Sequence, residues 1–275
     1  QPYHFGLGAG IGEAEFGLRQ ARLLEEKILE LGADNVGAFI GEPVQGAGGV
    51  IIPPETYWPE IQRICRKYDV LLVADEVITG FGRLGRWFAS EHYGIEPDLI
   101  TFAKGVTSGY LPLGGTLVSK RVADLIIAEG GEFAHGFTYS GHPAACAVAV
   151  ANIRIMRDEG VIDRVREEIA PYFHKQWARL AEHPLVGEAR SIGLVAAIEI
   201  VADKSSRERF PKEVGAGTVC RDACIEAGLV MRAVGDTMIV SPPLVITRAQ
   251  VDELVEKAWN ALDATVKTLG GPDAA

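Results

Sequence analysis

Three short apolar runs punctuate the first half of the chain: Val36–Ile40, Val70–Ala74 and Leu99–Ala103. Each is aliphatic or β-branched with no polar face, and Pro or Gly lies nearby. That is the pattern of parallel strands buried on both faces between helices. Helical spacing separates the runs. Glu15–Leu31 carries Phe16, Leu23, Leu24, Ile28 and Leu31 toward one side, and Thr56–Tyr68 carries Tyr57, Ile61, Ile64 and Tyr68. A fourth run, Gly114–Val118, follows the third without a clear crossover helix, so it is expected to run antiparallel. Alternating strand and helix signals predict an α/β fold with a mostly parallel sheet.

The pattern changes after a helical stretch near Pro143–Asp158. Val161–Ala181 is expected as helix, Val186–Val201 as strand and Val214–Ala227 as helix. Short strands follow around Leu229–Arg232 and Met238–Ser241. A last helix runs from Thr247 to Leu269, and Thr247 with Gln250 forms a capping box that fixes its start. The expected division is a larger α/β domain over 1–158 and a smaller α+β domain over 159–275.

Charge and composition narrow the function. With 27 basic and 37 acidic side chains the chain carries a formal charge of -10, which argues against a nucleic-acid partner. No apolar run is long enough for a membrane span, and no signal-peptide pattern is present, so a cytoplasmic protein is expected. Four cysteines are too scattered for a disulfide framework. Cys220 and Cys224 share a helix face, but without His or acidic companions they read as small buried side chains and not as a metal pair. The six histidines have no ligand spacing, and no metal is expected. Phosphate-loop, dinucleotide-fold, zinc-protease and hydrolase-elbow motifs are all missing.

Each of the first three runs ends in charge: Glu42, then Asp75 and Glu76, then Lys104. In an open parallel sheet ligands bind at the carboxyl ends of the strands. Residue chemistry alone leaves two readings open there, a binding site or a set of ion pairs and solvated strand ends. A lysine in such a place can attack a carbonyl when its neutral amine is favoured. An aspartate on the next strand can keep a pyridine nitrogen protonated, which together is the pyridoxal phosphate arrangement.

The neighbouring residues sharpen this. In order they are Gly41-Glu42-Pro43-Val44-Gln45-Gly46-Ala47-Gly48-Gly49, Val73-Ala74-Asp75-Glu76-Val77-Ile78-Thr79-Gly80-Phe81-Gly82-Arg83, Pro97 to Gly105 with Lys104 near its end, Gly136 to Pro143, and Met231 to Asp236. This ordered set resembles the class III aminotransferases of fold type I. Within them it is most similar to the ω-amine:pyruvate group, putrescine:pyruvate aminotransferases in particular. The resemblance runs from near residue 1 to about residue 269. It implies a partial fold type I large domain over 1–158 with the small domain after it. It also implies pyridoxal 5'-phosphate as cofactor and a homodimer or higher oligomer.

The resemblance carries roles to positions. Lys104 matches the lysine that holds the cofactor covalently. Asp75 matches the carboxylate on the pyridine nitrogen, and Val77 the apolar residue against the ring. Thr138 matches the threonine that reaches the cofactor phosphate of the neighbouring subunit. Arg232 matches the mobile arginine that receives the keto-acid carboxylate. Glu42, in the matching Glu-Pro-Val segment, is expected to line the site. Ile78 stands where many relatives have Gln, which puts one polar contact to the ring in doubt. The implied reaction moves an amino group from a primary amine, a diamine such as putrescine, to pyruvate. Alternatives are other class III activities (β-alanine, taurine or 4-aminobutyrate types, mutases and racemases) or a catalytically inactive C-terminal fragment. The last arises because the family's chain has an N-terminal portion before the segment that begins here. By resemblance, that portion holds the Gly/Ser phosphate turn, a ring-stacking aromatic residue and part of the substrate channel.

Overall fold

The computed structural model describes residues 1–270. After a short helix α1 (His4–Leu7), the long helix α2 (Glu13–Leu31) leads into strand β1 (Ala38–Gly41). Helix α3 (Tyr57–Lys67) precedes β2 (Leu71–Asp75). A short α4 (Ala89–Tyr93) precedes β3 (Leu99–Phe102), and β4 (Gly115–Val118) follows directly. The four strands form one sheet in the order β1-β2-β3-β4. The first three are parallel, and β4 is antiparallel to β3 as expected. Helices α5 (Lys120–Glu129) and α6 (Pro143–Asp158) complete this part of the chain.

One sheet face is closed by α2 and α3. Ala21 and Ile28 of α2 join Trp58, Ile61, Ile64 and Cys65 of α3 over Val70 and Leu72, all buried. Burying each isoleucine, valine or leucine among them contributes about 1.5–3 kcal/mol. The facing residues on α2 differ from the expectation. Leu23 and Leu31 are exposed, while Ala21 is fully buried, because the helix turns its small residue to the tight contact. The other sheet face departs further from the expectation. By register it carries Ile40, Val73, Leu99 and Val118, and Ile40 remains 60% exposed. Strands with no polar face are therefore buried here on one side only.

The remaining elements are α7 (Val161–Arg164), α8 (Ala170–Ala178), β5 (Val186–Ile192), β6 (Val195–Ile200), α9 (Ala216–Glu226), β7 (Arg232–Val234), β8 (Thr237–Val240) and α10 (Arg248–Leu269). One π-helical turn, Val165–Ile169, joins α7 to α8. Pro171, with no N–H to donate, stands at the start of α8, and the wider turn accommodates it. The expected single strand 186–201 is a hairpin that turns at Gly193, where φ is +53°. The short strand expected at Leu229–Arg232 begins only at Arg232, because the two-residue turn Gly235-Asp236 sets the register of β7 on β8. This second sheet is antiparallel in the order β5-β6-β8-β7. Phe173 and Trp177, Ile198 and Ile200, Met238, and Val251 and Leu262 form its core. The capping box at the start of α10 is present. Gln250 N–H donates to Thr247 Oγ1 at 3.3 Å, and Thr247 N–H donates to Gln250 Oε1 at 2.9 Å.

The chain divides into two compact units. The first is Gln1–Val44 with Pro53–Ile162. The second is Asp163–Ala275 with Gln45–Ile52. The chain leaves β1 through Glu42, enters the second unit for eight residues, and returns. The division read from sequence makes no provision for that excursion.

Candidate active site

The first sheet places three of the singled-out residues at one edge. Glu42 directly follows β1, Asp75 is the last residue of β2, and Lys104 lies two residues beyond β3. Parallel pairing aligns Gly41 with Ala74 and Asp75 with Thr101, so all three emerge at the carboxyl end.

Asp75 is held by one oxygen. Its Oδ1 accepts from Val77 N–H at 3.1 Å and from Thr101 Oγ1 at 3.2 Å. Oδ2 has no hydrogen-bond partner among the described residues. The carboxylate is thus oriented from behind, with its second oxygen available to a ligand. The same bond fixes the backbone of Val77, whose side chain is half-buried.

Lys104 opens a 3-10 turn, Lys104–Thr107. Its φ is +43°, a region a side chain adopts only when its surroundings require it. Its side chain is exposed and makes no hydrogen bond or ion pair among the described residues. Two contacts hold the strained turn. Asn152 of α6 donates Nδ2 to Gly105 O at 2.9 Å and to Val106 O at 3.0 Å, and accepts from Ser108 Oγ at 2.8 Å. A Cβ on Gly105 would lie 2.9 Å from Phe81 Cβ and 3.2 Å from Gly80 O, so the turn packs against the 76–88 loop. Asn152 was not singled out in the sequence. Its only signal is a polar residue within an otherwise apolar stretch of α6.

Glu76, next to Asp75, is fully buried. It accepts from Thr79 Oγ1, Ala89 N–H and Ser90 N–H, each at 2.7 Å. Its own N–H donates to Thr101 O at 2.9 Å. Glu76 therefore ties the loop after β2 to both the sheet and the N-terminus of α4. Phe81, at φ +58°, packs edge-on against Phe88 and Phe102 at 5.4 and 5.6 Å. Arg83 in the same loop is half-buried, and desolvation pulls its guanidinium down to about 10, still protonated at neutral pH.

The other two residues are not on this sheet. Thr138 lies in an exposed stretch, 131–142, with Phe137 and Tyr139 about four-fifths exposed on either side. Within it, Phe137 N–H donates to Ser140 Oγ at 2.9 Å, and α6 begins when Ala145 N–H reaches His142 Nδ1. Arg232 belongs to the second unit, on the edge strand β7. Its side chain is exposed, with no hydrogen bond or ion pair among the described residues.

The first-unit edge fits pyridoxal phosphate in its donor set. A partner-free primary amine and a carboxylate with one free oxygen rise from neighbouring strand ends, and Val77 supplies an apolar surface beside the carboxylate. Among the described residues no group of three or more His, Cys, Asp or Glu comes together in a way that could hold a metal ion. Cys220 and Cys224 are both buried on α9, and Cys220 with burial holds the Cys224 thiol protonated.

Residues 13–262 match the family described as aminotransferase class-III. Putrescine–pyruvate aminotransferase from Pseudomonas aeruginosa is 58% identical over 265 residues, 96% of this chain and 58% of that protein. Mitochondrial gamma aminobutyrate transaminase 1 from Solanum lycopersicum is 46% identical over 261 residues, covering 94% and 50%. Among solved structures, a thermostable (S)-enantioselective omega-transaminase from Thermomicrobium roseum superposes with a TM-score of 0.92 at 45% identity. That match covers 97% of this chain and 59% of the other. The chain spans between half and three fifths of the length of these relatives.

Proposed function

Since the chain belongs to the class-III aminotransferase family, we propose that it transfers an amino group from a primary amine, a diamine such as putrescine, to pyruvate with pyridoxal 5'-phosphate. One observation carries the reading. Asp75, with Oδ2 free, and Lys104, without a partner, leave adjacent strand ends of one sheet. The 58% identity to a putrescine–pyruvate aminotransferase supports the substrate pair.

Each residue then has a task. Lys104 Nζ would hold the cofactor, and as a free amine it would take the proton from the substrate carbon that bears the amino group. Asp75 Oδ2 would accept from the cofactor's ring N–H and so favour its charged form. The cofactor supplies an electron-accepting ring that stabilises the negative charge left on the substrate carbon. Val77 would lie against the cofactor ring, and Glu42 would line the edge beside it. Arg232 receives the pyruvate carboxylate through its planar fork. Thr138, exposed as it is, serves the phosphate site of a second copy of the chain.

The test is turnover. The chain is loaded with pyridoxal 5'-phosphate and given putrescine and pyruvate, and alanine is quantified. Alanine that depends on both substrates and disappears in Lys104→Ala supports the reading. Alanine formation that survives Lys104→Ala overturns it.

A further inference from the structure

The second unit contains a buried ionic cluster to which that function gives no task. Glu199 on β6 is 1% exposed. It accepts from Arg190 Nη2 at 2.7 Å, from Thr237 Oγ1 at 2.8 Å and from Arg209 Nη2 at 3.3 Å. Arg190 on β5, its side chain only 9% exposed, also pairs with Glu188. Burying such charges is costly, and desolvation offsets much of their attraction. The cluster's remaining bonds indicate its purpose. Arg190 donates Nε to Val50 O at 2.8 Å and Nη2 to Gly49 O.

Those carbonyls belong to the Gln45–Ile52 excursion. Gln45 and Ile51 close it as a loop, with N–H···O distances of 3.1 and 2.9 Å. Val50 is fully buried at φ +53°, a conformation that a β-branched residue adopts only under constraint. Gly49 is at φ +119°, and a Cβ there would lie 3.3 Å from Thr237 Cγ2 and 3.6 Å from Arg190 Nη2. The strained peptide is pressed onto the polar face of the second sheet.

Arg232 is on that same face. Register aligns Arg190 with Ala197, Ala197 with Ile239, and Ile239 with Arg232, one row across four strands. At about 4.8 Å per strand the row spans about 14 Å. Through Thr237 the loop reaches β8, the strand bonded to β7. We propose that Arg190 is a positioning residue for the amino-acceptor half of the reaction. It fixes the strained Gly49-Val50 peptide on the sheet face from which Arg232 rises, so that the loop bounds the space in which Arg232 meets the keto-acid carboxylate. This rests on the role given to Arg232 above.

Arg190→Lys tests it. Lysine keeps the charge opposite Glu199 but has no planar fork to serve a carboxylate and two carbonyls together. The expected result is about a tenfold rise in KM for pyruvate, with kcat and the KM for putrescine within twofold. Amide exchange at Gly49 and Val50 rises about tenfold as well. Thr237→Val, which keeps the shape and removes one donor to Glu199, shifts the same quantities less. Arg232→Ala is measured in parallel. If Arg232→Ala raises the pyruvate KM and a folded Arg190→Lys does not, the proposal falls and the function stands. If Arg190→Lys degrades kcat and both KM values alike, its role is structural only and the proposal also falls. If Arg232→Ala leaves the pyruvate KM unchanged, the role given to Arg232 falls and the proposal with it, while the Lys104 test still decides the function. The exchange measurement needs no turnover, and unchanged exchange at Gly49 and Val50 overturns the clamp by itself.

Discussion

Asn152→Asp is the sharpest perturbation of the Lys104 turn. The substitution is isosteric, so it leaves packing in α6 unchanged. It replaces the amide that donates to Gly105 O and Val106 O with an oxygen. The bond from Ser108 Oγ survives, because the other oxygen still accepts. Two neutral hydrogen bonds are lost at about 0.5–1.5 kcal/mol each, giving about 1–3 kcal/mol in all. Oxygen facing two carbonyls adds repulsion, which places the expected cost in the upper half of that range. Lys104 at φ +43° is the strained residue that the two bonds restrain. Loss of about 2 kcal/mol raises the population of the open turn about thirtyfold, at 1.4 kcal/mol per factor of ten. The assay is amide exchange at Val106 and Ser108, whose N–H groups close the turn onto Ala103 O and Gly105 O. Exchange should speed up at these two amides and remain unchanged in β1. Less than a threefold rise would mean that Asn152 does not restrain the lysine turn.

Glu76→Gln should cost about 1.5–3 kcal/mol, because one of three donors then faces an NH2 group. Denaturant unfolding of the first unit reads this, and a loss under 0.5 kcal/mol would contradict the anchoring role. Gly217→Ala should destabilise the second unit by about 3 kcal/mol, since its Cβ would fall 2.0 Å from Gly235 O. A wild-type melting curve would contradict that. His183 is buried, and burial lowers its pKa although Asp263 opposes the shift. The unfolded state therefore binds the proton first, so stability is complete above the unfolded value of about 6.5 and falls as pH drops through it. Unfolding free energy measured from pH 8 to 5 should decline, and His183→Gln should remove part of the slope. The residual slope comes from His92 and His174, which burial lowers in the same direction.

How much of this was legible in the sequence depended on whether the signal was local. The three apolar runs and the charges that end them placed Glu42, Asp75 and Lys104 at one edge, because strand ends follow from short-range pattern. The capping box at Thr247 was legible for the same reason. The 186–200 hairpin was not, since Ile192, Leu194 and Val195 continue the apolar run and only Gly193 marks the turn. Helix α5 escaped as well, because Leu125, Ile126 and Ile127 are all exposed and define no inward face. The clamps were invisible for another reason. Asn152 on Gly105 and Arg190 on Gly49 join residues 47 and 141 positions apart. No single-sequence pattern encodes such pairs.

The central claim is that Lys104 and Asp75 together hold pyridoxal phosphate. Reductive trapping tests it most directly. The chain is incubated with the cofactor, treated with borohydride, digested, and its modified lysines are mapped by mass. The account predicts one dominant adduct at Lys104, which weakens sharply in Asp75→Ala. Adducts scattered over surface lysines such as Lys120 and Lys27, or a Lys104 adduct indifferent to Asp75, would contradict it.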